Sequence, residues 1–198
     1  ELSIFFAPTS GFALQPTAPR ERIAEGPDPG PRAQGHQHEH GGRDHPQIEA
    51  VGTLDELNTA LGAAKAVLAG HARATEVRAL IEAVQHNLVA LMGEVACAES
   101  DAARYAASPF IKVSTADVAR LDEAVATLEA RGLRFDGWAT PGANPLSAAL
   151  DVARTDCRRA ERRLTALPAS GRDVRPELRQ FINRLADLLW LLAREAEQ

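Results

Sequence analysis

The chain has 198 residues, 45% of them hydrophobic and 25% charged, with a formal net charge of −5, which suits one domain built on a single core. The mild acidity excludes a general nucleic-acid surface, because the basic residues are almost all arginine and crowd into one segment. With no run of 18 apolar residues and no basic leader, a soluble cytoplasmic protein without a membrane partner is expected.

Residues 1–46 hold seven of the twelve prolines and four of the six histidines and show no sustained period, so an irregular segment is expected there and a helical domain over 47–198. Within it, His36, His38, Glu39 and His40, with His45 nearby, form a tract that could ligate Zn, Ni or Cu. Such tracts in irregular sequence more often bind metal adventitiously, and no metal site is assigned. From Ile48 the pattern turns helical. Ile48, Val51, Leu54, Leu57, Leu61 and Leu68 recur at three- and four-residue steps, predicting a first helix of about 22 residues. Val77, Leu80, Ile81, Val84, Leu88, Leu91 and Val95 predict a second long helix. Ser114 or Thr115 followed by acidic residues opens a third, with a stripe of Val118, Leu121, Val125 and Leu128, and Gly132 ends it. A loop over 133–144 carries Trp138. Asn144 as N-cap and Pro145 at the first helical position start the fourth helix, and Asp173 and Pro176 mark the start of the fifth near residue 174. Five helices without a convincing strand predict an all-α antiparallel bundle. Cys97 and Cys157 both lie in apolar helical surroundings and read as reduced thiols.

The fourth helix carries the densest chemistry. Arg154, Arg158, Arg159, Arg162 and Arg163 fall within ten residues. Arg154, Arg158 and Arg162 share one stripe, flanked by apolar Val152, Ala153, Ala160 and Leu164. Guanidinium groups hold phosphate or carboxylate oxygens bidentately and stay charged at any working pH, so the stripe suits either a polyanion clamp or fixed ion pairs.

Three segments together resemble one family. They are Asp55-Glu56-Leu57-Asn58 in the first helix, Arg154 to Arg162 in the fourth, and Asn183-Arg184-Leu185-Ala186-Asp187-Leu188-Leu189-Trp190 in the last. In this order they are similar to the ATP:cob(I)alamin adenosyltransferases of the propanediol-utilisation type, from about Asp44 to Arg194. The resemblance implies transfer of the 5′-deoxyadenosyl group of ATP, with Mg2+, to the cobalt of reduced cobalamin, at inter-subunit sites of a homotrimer. It further implies an electron donor and a B12-dependent enzyme as partners. Arg154 stands where the family pairs an arginine with the aspartate of a neighbouring subunit, here Asp55. An unpaired Asp55 in an otherwise apolar stretch would be costly, which favours that pair. Arg158 matches the phosphate-binding arginine. Glu161 and Asn183 match residues that line the nucleotide site, and Asp187 shares a helix face with Asn183. The alternative for these residues is hydrogen bonding between helices, and Arg159, Arg162, Arg163 and Arg184 are candidates for knitting helices together.

Two departures stand out. Trp138 occupies the position of the phenylalanine that displaces the lower ligand of cobalamin in the family. Trp190 stands where an aromatic residue is usual, so the two are the corrinoid-binding candidates, with a core role open to each. Upstream of Gly41 no counterpart of the family's glycine-rich phosphate loop is recognisable. A non-catalytic corrinoid carrier or sensor, or a metal-binding protein using the histidine tract, therefore remains an alternative.

Overall fold

The computed structural model describes residues 45–134 and 138–198, and every regular element among them is helical. The tract from His36 to His40, and nearly all of the segment expected to be irregular, lie outside these residues.

Helix α1 spans Pro46–Ala66. Pro46 sits in the first turn, where its missing N–H is not needed, and the N-cap is His45, whose Nδ1 accepts from the Gln47 amide at 3.3 Å. Ala50, Leu54, Leu57, Leu61 and Ala64 form its buried face, while Ile48 falls outside it and is 50% exposed. Helix α2, Ala74–Ala96, buries Val77, Ile81, Val84, Leu88, Leu91 and Val95. A 3-10 turn, Glu99–Asp101, then leads into the short α3, Ala102–Ala107. Neither contains a buried residue, which is why no apolar period announces this sixth helix. Helix α4, Thr115–Glu129, opens on a capping box in which Asp117 Oδ2 accepts from the Ser114 amide at 2.8 Å and the Ser114 hydroxyl at 2.6 Å. Burial works against ionisation of Asp117, but the Ser114 hydrogen bonds and Arg120 outweigh it and hold the carboxyl below its ordinary value. Gly132 takes a left-handed φ of 68° just past the helix. Helix α5, Pro145–Ala166, starts as expected at Asn144, whose Oδ1 accepts from the Ser147 amide at 2.9 Å. After a 3-10 turn, Leu167–Ser170, helix α6 runs over Pro176–Glu195.

Helix α5 is central, packed between α1 and α6; α2 lies on α1 and α4 on α6. Consecutive long helices alternate in direction. Glu49 and Glu56 of α1 pair with Arg163 and Arg159 of α5 respectively, an antiparallel register. Asp151 and Glu161 of α5 meet Arg194 and Asn183 of α6 in the same sense. Helices α4 and α6 are not consecutive among the long helices and meet parallel, joined through Asp122 to Arg184 and Arg131 to Glu195. The result, among the described residues, is an all-α up-and-down bundle of five long helices and the short α3. At the end where α1 begins, the Gln47 side-chain amide donates to the carbonyls of Val95 at 2.6 Å and Cys97 at 3.2 Å. At the opposite end, Asn144 Nδ2 donates to the Ala196 carbonyl at 2.6 Å. No helix of the described residues is long and apolar enough to cross a membrane.

Candidate functional site

Helix α5 buries Leu150, Ala153, Cys157, Ala160 and Leu164 on one face, which turns its arginines outward or sideways. Their surroundings differ residue by residue. Arg159 and Arg163 lean over α1, where Glu56 and Glu49 neutralise them, Arg163 at 3.2 Å. These two knit helices, as does Arg184, which reaches Asp122 of α4 and Asp187 at 3.2 Å. Val152, expected on the apolar flank, is 56% exposed, while Ala153 next to it is fully buried.

Arg158, Glu161 and Asn183 do come together. Arg158 Nη1 pairs with Glu161 Oε2 at 2.6 Å, and Asn183 Nδ2 donates to Glu161 Oε1 at 2.8 Å. Glu161 therefore bridges α5 and α6 with both oxygens engaged. Arg158, Glu161, Arg162, Thr165 and Ala166 line an open groove of about 330 Å3. Asp187 is exposed one turn beyond Asn183 and binds Arg184, so it does not join this cluster directly. It is still close enough to act on Cys157. Burial, then the negative charges of Glu161 and Asp187 among others, push that thiol well above its usual range, against the opposing pull of Arg158. Cys157 is fully buried and donates to the Ile182 carbonyl at 3.3 Å under the site.

Asp55 requires a correction. Leu54, Leu57 and Leu61 take the inner face of α1, which leaves Asp55 exposed and without an ion pair to any described residue. The burial cost invoked for it does not arise within one chain. It borders a mainly apolar hollow of about 490 Å3 with Ile48, Val51 and Met92 among its walls. Within the chain Arg154 instead binds Asp151, through Nε to Oδ1 at 3.1 Å.

Asp151 and Arg194 are the residues that sequence reasoning missed. They form an ion pair with side chains only 6% and 3% exposed, and Arg194 also meets Glu197 at 3.1 Å. A carboxylate set into Leu150-Asp151-Val152-Ala153, three residues before an arginine, was the available signal. The Asp151 carboxylate is thus shared, one oxygen to Arg194 of α6 and the other to Arg154, whose side chain is 29% exposed.

The corrinoid candidates lie toward the same end of the bundle. Trp190 packs partly buried against the core, whereas Trp138 is 98% exposed. Its loop is tied to the C-terminal end of α6 on both flanks, through Gln198 Nε2 to the Arg134 carbonyl at 3.4 Å and through Asn144 to Ala196. An indole so exposed has no packing role among the described residues, which leaves its apolar surface available to a ligand or partner.

Comparisons with known proteins converge. Residues 32–196 match the family described as Cobalamin adenosyltransferase. The corrinoid adenosyltransferase PduO of Salmonella typhimurium is 37% identical over 153 residues, covering 76% of this chain and 42% of the relative. The chain thus spans well under half the length of that relative. The cobalamin adenosyltransferase of Cupriavidus metallidurans is 33% identical, covering 77% of this chain and 76% of the relative. Among solved structures, a phenylalanine-to-alanine variant of a PduO-type ATP:corrinoid adenosyltransferase from Lactobacillus reuteri, complexed with cobalamin and ATP, superposes with a TM-score of 0.65. It is 28% identical and covers 78% of this chain and 82% of its own.

The shared carboxylate generates a stability prediction. Asp151→Asn removes the counter-charge of buried Arg194 and should destabilise the fold by about 3–5 kcal/mol, whereas Asp151→Leu combined with Arg194→Met should recover most of the loss. Urea unfolding of the three proteins checks this, and a double variant no more stable than the single one would contradict it.

Proposed function

The chain belongs to the cobalamin adenosyltransferase family, and we propose that it transfers the 5′-deoxyadenosyl group of ATP to the cobalt of reduced cob(I)alamin, releasing triphosphate. The observation that carries this reading is the Arg158–Glu161–Asn183 cluster at an open groove, on a chain whose motifs run in the family's order. Cobalt(I) supplies the electron pair that forms the Co–C5′ bond; the C5′–O bond breaks and its pair leaves with the triphosphate. The difficulty is the charge on that leaving group. Arg158 spends one donor edge on Glu161 and offers the rest to phosphate oxygens, while Glu161 and Asn183 bound the nucleotide side. Asp187 adjoins this surface. No cluster of three or more metal-ligating side chains occurs among the described residues, so Mg2+ would enter on the phosphates of ATP, its usual mode with nucleotides. Trp138 and Trp190 would supply aromatic walls for the corrinoid, with the indole of Trp138 as the larger substitute for a phenyl ring.

The assembly we propose is a homotrimer with sites between subunits. Asp55 lies exposed beside an apolar hollow, and Arg154 engages Asp151 through Nε, leaving two further nitrogens to donate. Two half-satisfied groups of opposite charge suit a pair across a subunit boundary. An electron donor must deliver Co(I), and a B12-dependent enzyme would take the product. Free Cys97 and Cys157 fit a reducing, cytoplasmic setting.

Two outcomes test this. Arg158→Ala should lower adenosyl transfer by an amount equivalent to about 2–4 kcal/mol of transition-state stabilisation, with helical circular dichroism and oligomer size unchanged; turnover equal to the parent would remove Arg158 from the site. For Asp55 and Arg154, the two single neutralisations should each weaken assembly or activity, and the double variant should lose less than their sum. Additivity within about 0.5 kcal/mol in that cycle would mean that the two residues do not touch.

A further inference from the structure

The carboxylates that meet the arginines of α5 are themselves held in different ways. Arg158, Arg159 and Arg163 pair with Glu161, Glu56 and Glu49, whose side chains are 19%, 57% and 47% exposed. Arg154 pairs with Asp151, which is enclosed and bound in turn to the buried guanidinium of Arg194. A carboxylate at the surface can swing into water and release its arginine. Asp151 has nowhere to swing. The pair behind Arg154 is nevertheless a poor fastener of helices, because Arg194 leaves its Nε buried without a partner among the described residues. An enclosed and incompletely satisfied ion pair often stabilises a fold no better than apolar side chains of similar volume. What it achieves, and an apolar pair could not, is to fix a guanidinium from behind. Asp151 gives Oδ2 to Arg194 and Oδ1 to Arg154 Nε, the latter at 3.1 Å, which leaves two further nitrogens of Arg154 to donate.

We infer that Arg194 and Asp151 are positioning residues for the subunit boundary, holding the Arg154 guanidinium oriented before Asp55 of the partner subunit meets it; this rests on the homotrimer proposed above. Ordering a long arginine side chain at an interface costs conformational entropy, and a side chain already held on folding has lost that freedom before association. Charge favours the same arrangement. Glu197, Arg194, Asp151 and Arg154 form a run of alternating sign that ends on the cation of Arg154. An exposed aspartate without an ion pair to any described residue, as Asp55 is, continues that run from a second copy of the chain.

The test compares the parent with Asp151→Leu combined with Arg194→Met, each with and without Asp55→Asn, by urea unfolding and by sedimentation over a range of protein concentrations. The apolar pair is expected to keep the fold, so its assembly reports the lost carboxylate and not a damaged bundle. The expected result is an unfolding midpoint near the parent's with half-dissociation of the oligomer at about tenfold higher protein concentration. With Asp55→Asn also present, the apolar pair should move that concentration by less than about twofold. An apolar-pair variant that assembles like the parent overturns the inference, as does an equal loss in the Asp55→Asn background, and neither result touches the adenosyl-transfer reading. Should the apolar pair fail to fold, the Nε–H order parameter of Arg154, measured by NMR in Asp55→Asn, carries the test. It should match the rigid backbone while that of Arg163 is low; an Arg154 as mobile as Arg163 overturns the inference. A parent that stays monomeric while transferring adenosyl groups removes the inference and the homotrimer but leaves the chemistry standing.

Discussion

Helix α5 must hold five guanidinium groups within three turns while burying its opposite face at the centre of the bundle, and the rest of the structure is arranged around that constraint. Like charges one turn apart repel, and four of the five are met by a carboxylate. Helix α1 supplies Glu56 and Glu49, α5 itself supplies Asp151 and Glu161, and the antiparallel packing of α1 on α5 is what brings the first two into register. The exposed pairs contribute little stability individually. Their effect is to sort the arginines into those that fasten helices and those left with donors to spare.

The buried Asp151–Arg194 pair extends the same logic inward. A charge pair so enclosed is weak evidence for stability, since well-packed apolar side chains often serve as well. It does fix how α5 and α6 meet at the end of the bundle that carries Trp190 and the Trp138 loop. Because the other carboxylate oxygen holds Arg154, the position of a surface guanidinium is tied to the packing of α6. The Trp138 loop is fastened to α6 as well, through Ala196 and Gln198. The Arg158–Glu161–Asn183 cluster and Trp190 thus lie on one pair of helices, α5 and α6, and the Trp138 loop is fastened to the second of them.

Much of this was legible in the chain itself. Apolar residues at three- and four-residue steps located α1, α2 and α4, and Asn144-Pro145 and Asp173 with Pro176 marked the starts of α5 and α6, because periodicity and capping are local properties. Helix α3 was not legible, since it buries nothing. Asp55 was misread for a related reason: apolar neighbours in sequence say little about which side of a helix a residue occupies, and Leu54, Leu57 and Leu61 claim the inner side. The counter-ions were the least accessible. Nothing local to Arg159 points to Glu56, nor anything local to Asp151 to Arg194, because those partners arrive from helices distant in the chain. The cluster of Arg158, Glu161 and Asn183 was anticipated only through the family resemblance.

An enzyme of the proposed kind makes a carbon–cobalt bond from ATP and reduced corrinoid. That activity is tested most directly by incubating the purified protein with MgATP and cob(I)alamin under anaerobic reduction and following the cobalt absorbance alongside phosphate products. The expected result is a light-sensitive organocobalt spectrum and one triphosphate released for each cobalt alkylated. Corrinoid that binds with no alkylation, or ATP consumed to ADP and orthophosphate instead, would contradict it.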